Sequence, residues 1–192
     1  MKKITTICTA LTIKGIIILF VLLQMAGCAS NKMSTIVGGD YDEDKDVTSY
    51  FVLPLGQVSI PGRWEKNRYD KVSRQQFFTN QDSIIIALAF GRFDSYEFNT
   101  KGALKGYDFI KAFYEWEAEY FESKGLERQL LESDSTKKYM VYRFYGQNYD
   151  TYFLIGERFG NVSNFSINAT NKWPEKDKIL FLKRLFLSSE KE

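Results

Sequence analysis

Three glutamates provide the spacing in this chain that could support acid–base chemistry or hold a cation. Glu115, Glu119 and Glu122 follow one another at intervals of four and three residues, which places them on one face of a helix. Carboxylates grouped in this way can bind a hard cation or hydrolyse a glycosidic bond. The alternative is a solvated helix face, partly paired with Lys111, because charged residues opposite an apolar stripe form the usual outer surface of a helix.

Composition excludes most other catalytic chemistry. The 192 residues contain no histidine and only two cysteines, which removes the histidine-dependent serine and cysteine nucleophile systems and the zinc sites that need histidine. No glycine pattern for binding phosphate or a dinucleotide occurs. We therefore expect no catalytic residues, no metal and no cofactor.

The first 27 residues are typical of a secretory signal. Lys2, Lys3 and Lys14 accompany an unbroken apolar run over residues 16–23, and no acidic residue precedes Cys28. A basic start, a short apolar core and a small-residue exit mark a segment that is removed. The run is too short for a stable transmembrane helix, which needs about 20 apolar residues.

The segment Met25-Ala26-Gly27-Cys28 resembles the lipobox of bacterial lipoproteins. The resemblance implies that the Cys28 thiol receives a diacylglycerol, that the chain is cut before it, and that the new amino group is acylated with a fatty acid such as palmitate. Several acyl chains hold a protein durably to a bilayer, whereas one chain holds it only marginally. Ala29, where an aspartate would favour the inner membrane, implies the outer membrane, with the domain on its periplasmic or surface side.

Removal of the signal changes the chemistry of the remaining chain. Cys8 is lost and Cys28 is lipidated, so neither a disulfide nor thiolate catalysis is expected. The 165 remaining residues carry 23 basic and 24 acidic side chains, because the three lost lysines are not balanced by acids. A net charge of −1 argues against electrostatic binding of nucleic acid.

A polar segment follows the cysteine. Residues 29–47 are small or polar without sustained periodicity, which predicts a flexible acidic tether over residues 28–48 and one domain over residues 49–192. The aspartates at positions 40, 42, 44 and 46 have the rhythm of a calcium loop. Lys45 and Phe51 occupy the positions where such a loop needs glycine and glutamate, so we expect a solvated linker.

The rest of the chain predicts an α+β domain: an antiparallel sheet of about six to seven strands with a long central helix and a C-terminal helix packed on it. The long helix covers residues 106–124, with Phe109 and Phe113 on its apolar stripe and Gly125 as its C-cap. Pro174 is expected at the first position of the C-terminal helix. Strands are predicted at residues 50–53, 57–60, 72–79, 83–93, 127–132, 139–145, 149–159 and 162–169.

This order of elements resembles the PsbP-like fold, which includes Mog-type proteins and DcrB-type bacterial lipoproteins. The resemblance is carried by VSIPGRW (58–64), FFTNQDSIIIAL (77–88), DFIKAFYEWEAEYFESKG (108–125) and NFSINATNKWPEKDKILFLKRLF (164–186). It implies an α/β/α sandwich. It implies no shared catalytic set, because members of this fold family are mostly accessory, assembly or binding proteins.

Aromatic side chains supply the remaining candidate site. Trp64 could be a stacking platform, but a large aromatic beside a turn more often covers the edge of a core. Five tyrosines that alternate along the later strands form a candidate surface for a protein partner, because tyrosine joins apolar area to a polar group. The alternative for them is packing between sheet and helices. The five are Tyr139, Tyr142, Tyr145, Tyr149 and Tyr152.

Together these patterns predict a membrane-anchored lipoprotein of the cell envelope that acts as a non-enzymatic binding or accessory protein for a protein partner. Alternatives are a lipoprotein that confers immunity to a secreted toxin, a carboxylate-dependent glycan hydrolase, and a carrier of an apolar ligand.

Overall fold

The computed structural model describes residues 34–168 and 170–188. Its compact unit begins at Thr35. Two antiparallel sheets and two α-helices make up this unit, which confirms the predicted α+β class.

A seven-stranded antiparallel sheet forms the centre of the domain, in the order β5-β6-β7-β11-β10-β9-β8. Its strands are β5 (Trp64–Asp70), β6 (Gln75–Asn80), β7 (Ile85–Gly91), β8 (Glu127–Asp134), β9 (Tyr139–Gly146), β10 (Tyr149–Arg158) and β11 (Asn161–Ile167). The central strand β7 is buried on both faces, as its uninterrupted apolar sequence predicts.

A smaller sheet precedes it and consists of β1 (Ile36–Gly38), β2 (Tyr41–Asp42), β3 (Val47–Leu53) and β4 (Gly56–Pro61). Its residues Tyr50, Val58 and Ile60 are buried in the same core as Leu154 of β10. The small sheet therefore helps the C-terminal helix to cover one face of the large sheet.

The two helices cover opposite faces because neighbouring residues of a strand point in opposite directions. Leu154 belongs to the core beneath α2 (Glu175–Leu187), and Ile155 belongs to the core beneath α1 (Gly106–Glu122). The predicted α/β/α sandwich is confirmed. β10 extends from one end of the domain to the other and connects the two surfaces described below.

Both helices lie close to the positions that the sequence predicts. Phe109 and Phe113 of α1 are buried, as predicted. The predicted end of α1 is wrong by two residues: the helix ends at Glu122 with Ser123 as its C-cap, and Gly125 lies in the turn that follows, with φ +79°, a conformation that glycine adopts without strain. The prediction for α2 is wrong by one residue: Pro174 is the N-cap, with an extended ψ of 159°, and Glu175 is the first helical residue.

The predicted tether is wrong from Ile36 onward, because residues 36–42 contain β1 and β2. Both strands are too short to show a period of two, and both pair with β3. Two of the aspartates stabilise the turn into β3: Asp42 Oδ1 accepts a bond from the Lys45 backbone (3.2 Å), and Asp46 Oδ1 accepts one from the Tyr41 hydroxyl (2.9 Å).

Strand β5 was not predicted, because its sequence after Trp64 is polar and mostly exposed. It is an edge strand, where charged side chains are favoured. Trp64 itself is buried; its ring packs on Trp173 and Phe181, and its Nε1 donates to the Pro61 carbonyl (2.8 Å). The expectation that it covers a core edge is confirmed.

Candidate functional site

The structure places the predicted site residues in different environments. Cys28 lies outside the described residues. Of the five tyrosines, three are buried, and the prediction that all five form one surface is wrong. Adjacent strands and alternate positions send their side chains to both faces of the sheet: Tyr142 faces α1, whereas Tyr139 and Tyr152 face α2. For these three, the alternative of packing between sheet and helices is correct.

The acidic face of α1 does not gather carboxylates around a pocket. Arg128 of β8 binds both Glu115 (2.6 Å) and Glu122 (3.0 Å), and Glu119 is exposed. The single positive charge of the guanidinium offsets one of the two negative charges that it binds, and both carboxylates are engaged at the surface. This arrangement removes the structural support for a hydrolase at this face.

A different carboxylate of the same helix points inward. Glu117 lies eight residues after Phe109 and four after Phe113. It is therefore on the same helix face as these two apolar residues, which faces the sheet. Its carboxylate accepts a hydrogen bond from the Tyr142 hydroxyl. Burial raises the pKa of Glu117 to about 7, and the Tyr142 bond partly opposes that rise. Sequence reasoning missed this residue, although its position on the stripe was a usable signal.

An open groove lies at the end of the large sheet where β6 ends and β10 begins. It is lined by Asp82, Ser83, Asp150, Thr170, Asn171 and Lys172. Three segments meet there: the β6–β7 turn, the first residues of β10, and the chain that leads into α2. The Lys172 ammonium donates to the Asp82 carbonyl and lies 4.0 Å from its carboxylate, so two walls of the groove are tied together.

A charged and aromatic group borders this groove, and we call it the Arg143 cluster: Arg143, Tyr145, Asp150, Tyr152 and Glu175. Arg143 Nε donates to Asp150 (2.7 Å), and its Nη1 lies 3.6 Å from Glu175. The Tyr145 and Tyr152 ring centres lie 4.8 and 5.0 Å from the guanidinium carbon. The arginine is therefore held by two acids and two rings.

Electrostatics in the cluster follow from these contacts. The hydrogen bond to Asp150 raises the pKa of Arg143 above its usual value. Burial, followed by the hydrogen bond that the Tyr152 hydroxyl donates to Glu175 (3.0 Å), raises the pKa of Tyr152 to about 12. Arg143 therefore keeps its positive charge at neutral pH, and the Tyr152 hydroxyl keeps its proton.

The cluster suits recognition. An arginine has five N–H donors, of which Nε is committed to Asp150, and its side chain is 25% exposed. Arginine and tyrosine are the residues that most often dominate binding energy at protein interfaces.

The described residues include no group of three or more potential metal ligands. Within the same residues, no helix is long and apolar enough to cross a membrane.

Comparison with solved structures shows an architectural likeness. No protein-family model matches the chain. No curated protein matches it either. The chain is similar to the solution structure of cyanobacterial PsbP (CyanoP) from Synechocystis sp. PCC 6803, with 11% identity, a TM-score of 0.43, and coverage of 85% of this chain and 95% of that one. The finer resemblance to DcrB-type and Mog-type proteins stays a prediction.

Proposed function

We propose that this protein is a lipid-anchored binding protein of the bacterial envelope. Acyl chains on Cys28 hold it to a membrane, in our proposal the outer one, and the Arg143 cluster with its groove binds a protein partner without catalysing a reaction.

The proposed anchor is supported by the sequence that precedes the domain. The lipobox-like segment ends at Cys28, and the compact unit begins at Thr35. Six residues, 29–34, thus separate the proposed lipidated position from the folded unit, which is enough to clear the lipid headgroups without a long linker.

One observation carries the proposed binding role: the guanidinium of Arg143 is held between two tyrosine rings beside an open groove. Holding the side chain in place before binding lowers the entropy lost when a partner docks. The Arg143 side chain is 25% exposed beside the groove that contains Asp150, so its remaining donors can contact a partner there.

The charge around the groove indicates the kind of partner. Asp82, Asp150 and Glu175 lie close to Lys172 and Arg143. Alternating signs of this kind favour a polar protein surface with charges of both signs. A nucleic acid would instead require an excess of cations.

A photo-crosslinking residue at Asn171 in the full chain tests the binding role. Irradiation of intact envelope is expected to give a reproducible protein adduct from position 171 and none from Glu119, which is exposed on α1. Arg143→Ala should abolish the adduct. The matched control is Arg128→Ala, because Arg128 also binds two carboxylates and contacts a tyrosine ring. Equal adducts from both positions, or loss in both variants, would refute the assignment.

A further inference from the structure

The chain enters the domain at the end opposite the groove, which we call the anchor end. β1 begins at Ile36, and Ile36 pairs with Leu53 at the tip of the β3–β4 hairpin. The following residue, Pro54, accepts a hydrogen bond from Asn161 Nδ2 (3.4 Å) beside the β10–β11 turn. β10 has ten residues, and because a strand rises about 3.3 Å per residue, its two ends lie roughly 30 Å apart.

Apolar side chains remain exposed at the anchor end. Ile36 is 62% exposed and Phe159 is 60% exposed. Leu104 lies just before Gly106, and a Cβ on that glycine would lie 3.5 Å from Glu157 Oε2, near the end of β10. Exposed apolar side chains that gather at one site mark a contact surface. The anchor-end set is Ile36, Val37, Leu53, Leu104 and Phe159.

The β10–β11 turn places a phenylalanine where folding does not favour one. Phe159 has φ +52° and Gly160 has φ +76°, the two positive values of a type I′ hairpin turn, whose first position prefers asparagine, aspartate or glycine. A bulky side chain in the left-handed region is strained. The Phe159 ring is 60% exposed and belongs to neither buried core, and backbone strain at such a position points to a function at the turn.

Cations lie beside two of these apolar side chains, Phe159 and Leu104. The Arg158 guanidinium lies 5.3 Å from the Phe159 ring centre and donates to the Phe186 carbonyl (3.1 Å). Lys101 and Lys105, on either side of Leu104, are exposed, and neither forms an ion pair with another described residue. Apolar residues rimmed by cations match a surface of anionic lipid headgroups over acyl chains.

The length of the connecting chain limits the distance from the membrane. Eight residue steps separate Cys28 from Ile36, and an extended chain covers at most about 28 Å over that length. We infer that the anchor end lies on the same bilayer that holds Cys28, with Phe159 and Leu53 at its interface. This inference rests on the proposed lipid anchor and adds an orientation to it.

The test uses the full, lipidated chain in vesicles of phosphatidylethanolamine and phosphatidylglycerol that contain a nitroxide-labelled lipid. An environment-sensitive dye is placed on Phe159→Cys or on Tyr120→Cys, an exposed aromatic near the other end of α1. We expect at least threefold stronger quenching at position 159. Equal quenching at both positions in a protein that floats with the vesicles would overturn the inference and leave the lipid anchor standing.

Two further outcomes are distinguishable. A protein that fails to float would overturn both the anchor and the orientation. A dye at position 159 that is shielded from aqueous iodide but not quenched by the lipid would indicate a protein cover and would overturn lipid contact.

A second variant separates folding from membrane contact. Phe159→Asn supplies the residue that the turn prefers, so the melting temperature should stay the same or rise. Quenching of a dye on Leu53→Cys should nevertheless fall at least twofold. Unchanged quenching would remove Phe159 from the proposed contact.

Discussion

The two ends of the large sheet differ in how they hold their charged and aromatic side chains. At the groove end, Arg143 is clamped by two carboxylates and two tyrosine rings. At the anchor end, Phe159 is exposed on a strained turn, and nearby lysines have no ion-pair partner in the described part of the chain. Both ends belong to one sheet. In our proposal the difference corresponds to two kinds of contact: an ordered one for a protein at the groove end and an adaptable one for lipid at the anchor end.

The largest expected effect concerns the anchor, on which this comparison depends. Cys28→Ser in the full chain should move essentially all of the protein from the membrane fraction to the soluble fraction, because several acyl chains are lost together. Fractionation and intact-mass measurement check this. The wild-type protein should carry the mass of the lipid, and a variant that stays bound, with no lipid mass difference from wild type, would contradict the anchor.

The second-largest expected effect is on the stability of the fold. It tests whether the burial of a glutamate, and not its residue type alone, decides how it affects stability. Glu117 is partly buried between α1 and the sheet, and this burial raises its pKa to about 7 from an ordinary value of 4.5. Because the folded state keeps this proton to higher pH than the unfolded chain, Glu117 stabilises the fold below about pH 4.5, and this contribution is lost as pH rises through 7.

Comparison of wild type with Glu117→Gln isolates this contribution. The difference in free energy of unfolding between the two should change by about 3 kcal/mol from pH 4.5 to pH 8, in favour of the variant at the higher pH. Denaturant titrations at several pH values measure it. Glu119→Gln, on the exposed face of the same helix, is the control and should show no such pH dependence. Identical pH profiles for the two variants would contradict the burial of Glu117.

The third prediction concerns the affinity of the groove end for its partner. Arg143→Ala should weaken partner binding by about 2 kcal/mol or more, and Arg128→Ala should leave it nearly unchanged. Once the partner is recovered from the Asn171 adduct, titration of the purified pair gives both values. Comparable losses of binding affinity in the two variants would show that the groove end is not the binding site.

The smallest effect concerns the strained turn. Phe159→Asn should raise the free energy of unfolding by about 1 kcal/mol, because asparagine tolerates positive φ better than phenylalanine. Gly160 remains in place, so the turn type is unchanged. A destabilised variant in thermal melts would mean that the Phe159 ring contributes to folding, and the argument for its function would fail.

Most of the fold could be predicted because burial leaves a period in the sequence. Phe109 and Phe113 indicate α1, and the apolar run at residues 84–90 indicates a central strand. The polar edge strand β5 and the short strands β1 and β2 have no such period, since they lie at sheet edges or pair with a single neighbour.

The candidate site could be predicted only in part, because it depends on pairing register. Arg143 and Tyr152 face each other across β9 and β10, as do Tyr145 and Asp150, and Glu175 joins them from α2. No sequence spacing brings these three elements together. The role of Phe159 also depends on the pairing register. The sequence predicts the turn at residues 160–161, whereas in the structure it lies one residue earlier and therefore contains Phe159.

The central claim is that one end of the domain contacts lipid while the other contacts a protein. The most direct measurement places a photo-crosslinking residue at Phe159 in one full-length protein and at Asn171 in another, and identifies the adducts from intact cells by mass spectrometry. We expect phospholipid adducts at position 159 and a protein adduct at position 171. Protein adducts at 159 with lipid at 171, or the same adducts at both positions, would contradict it.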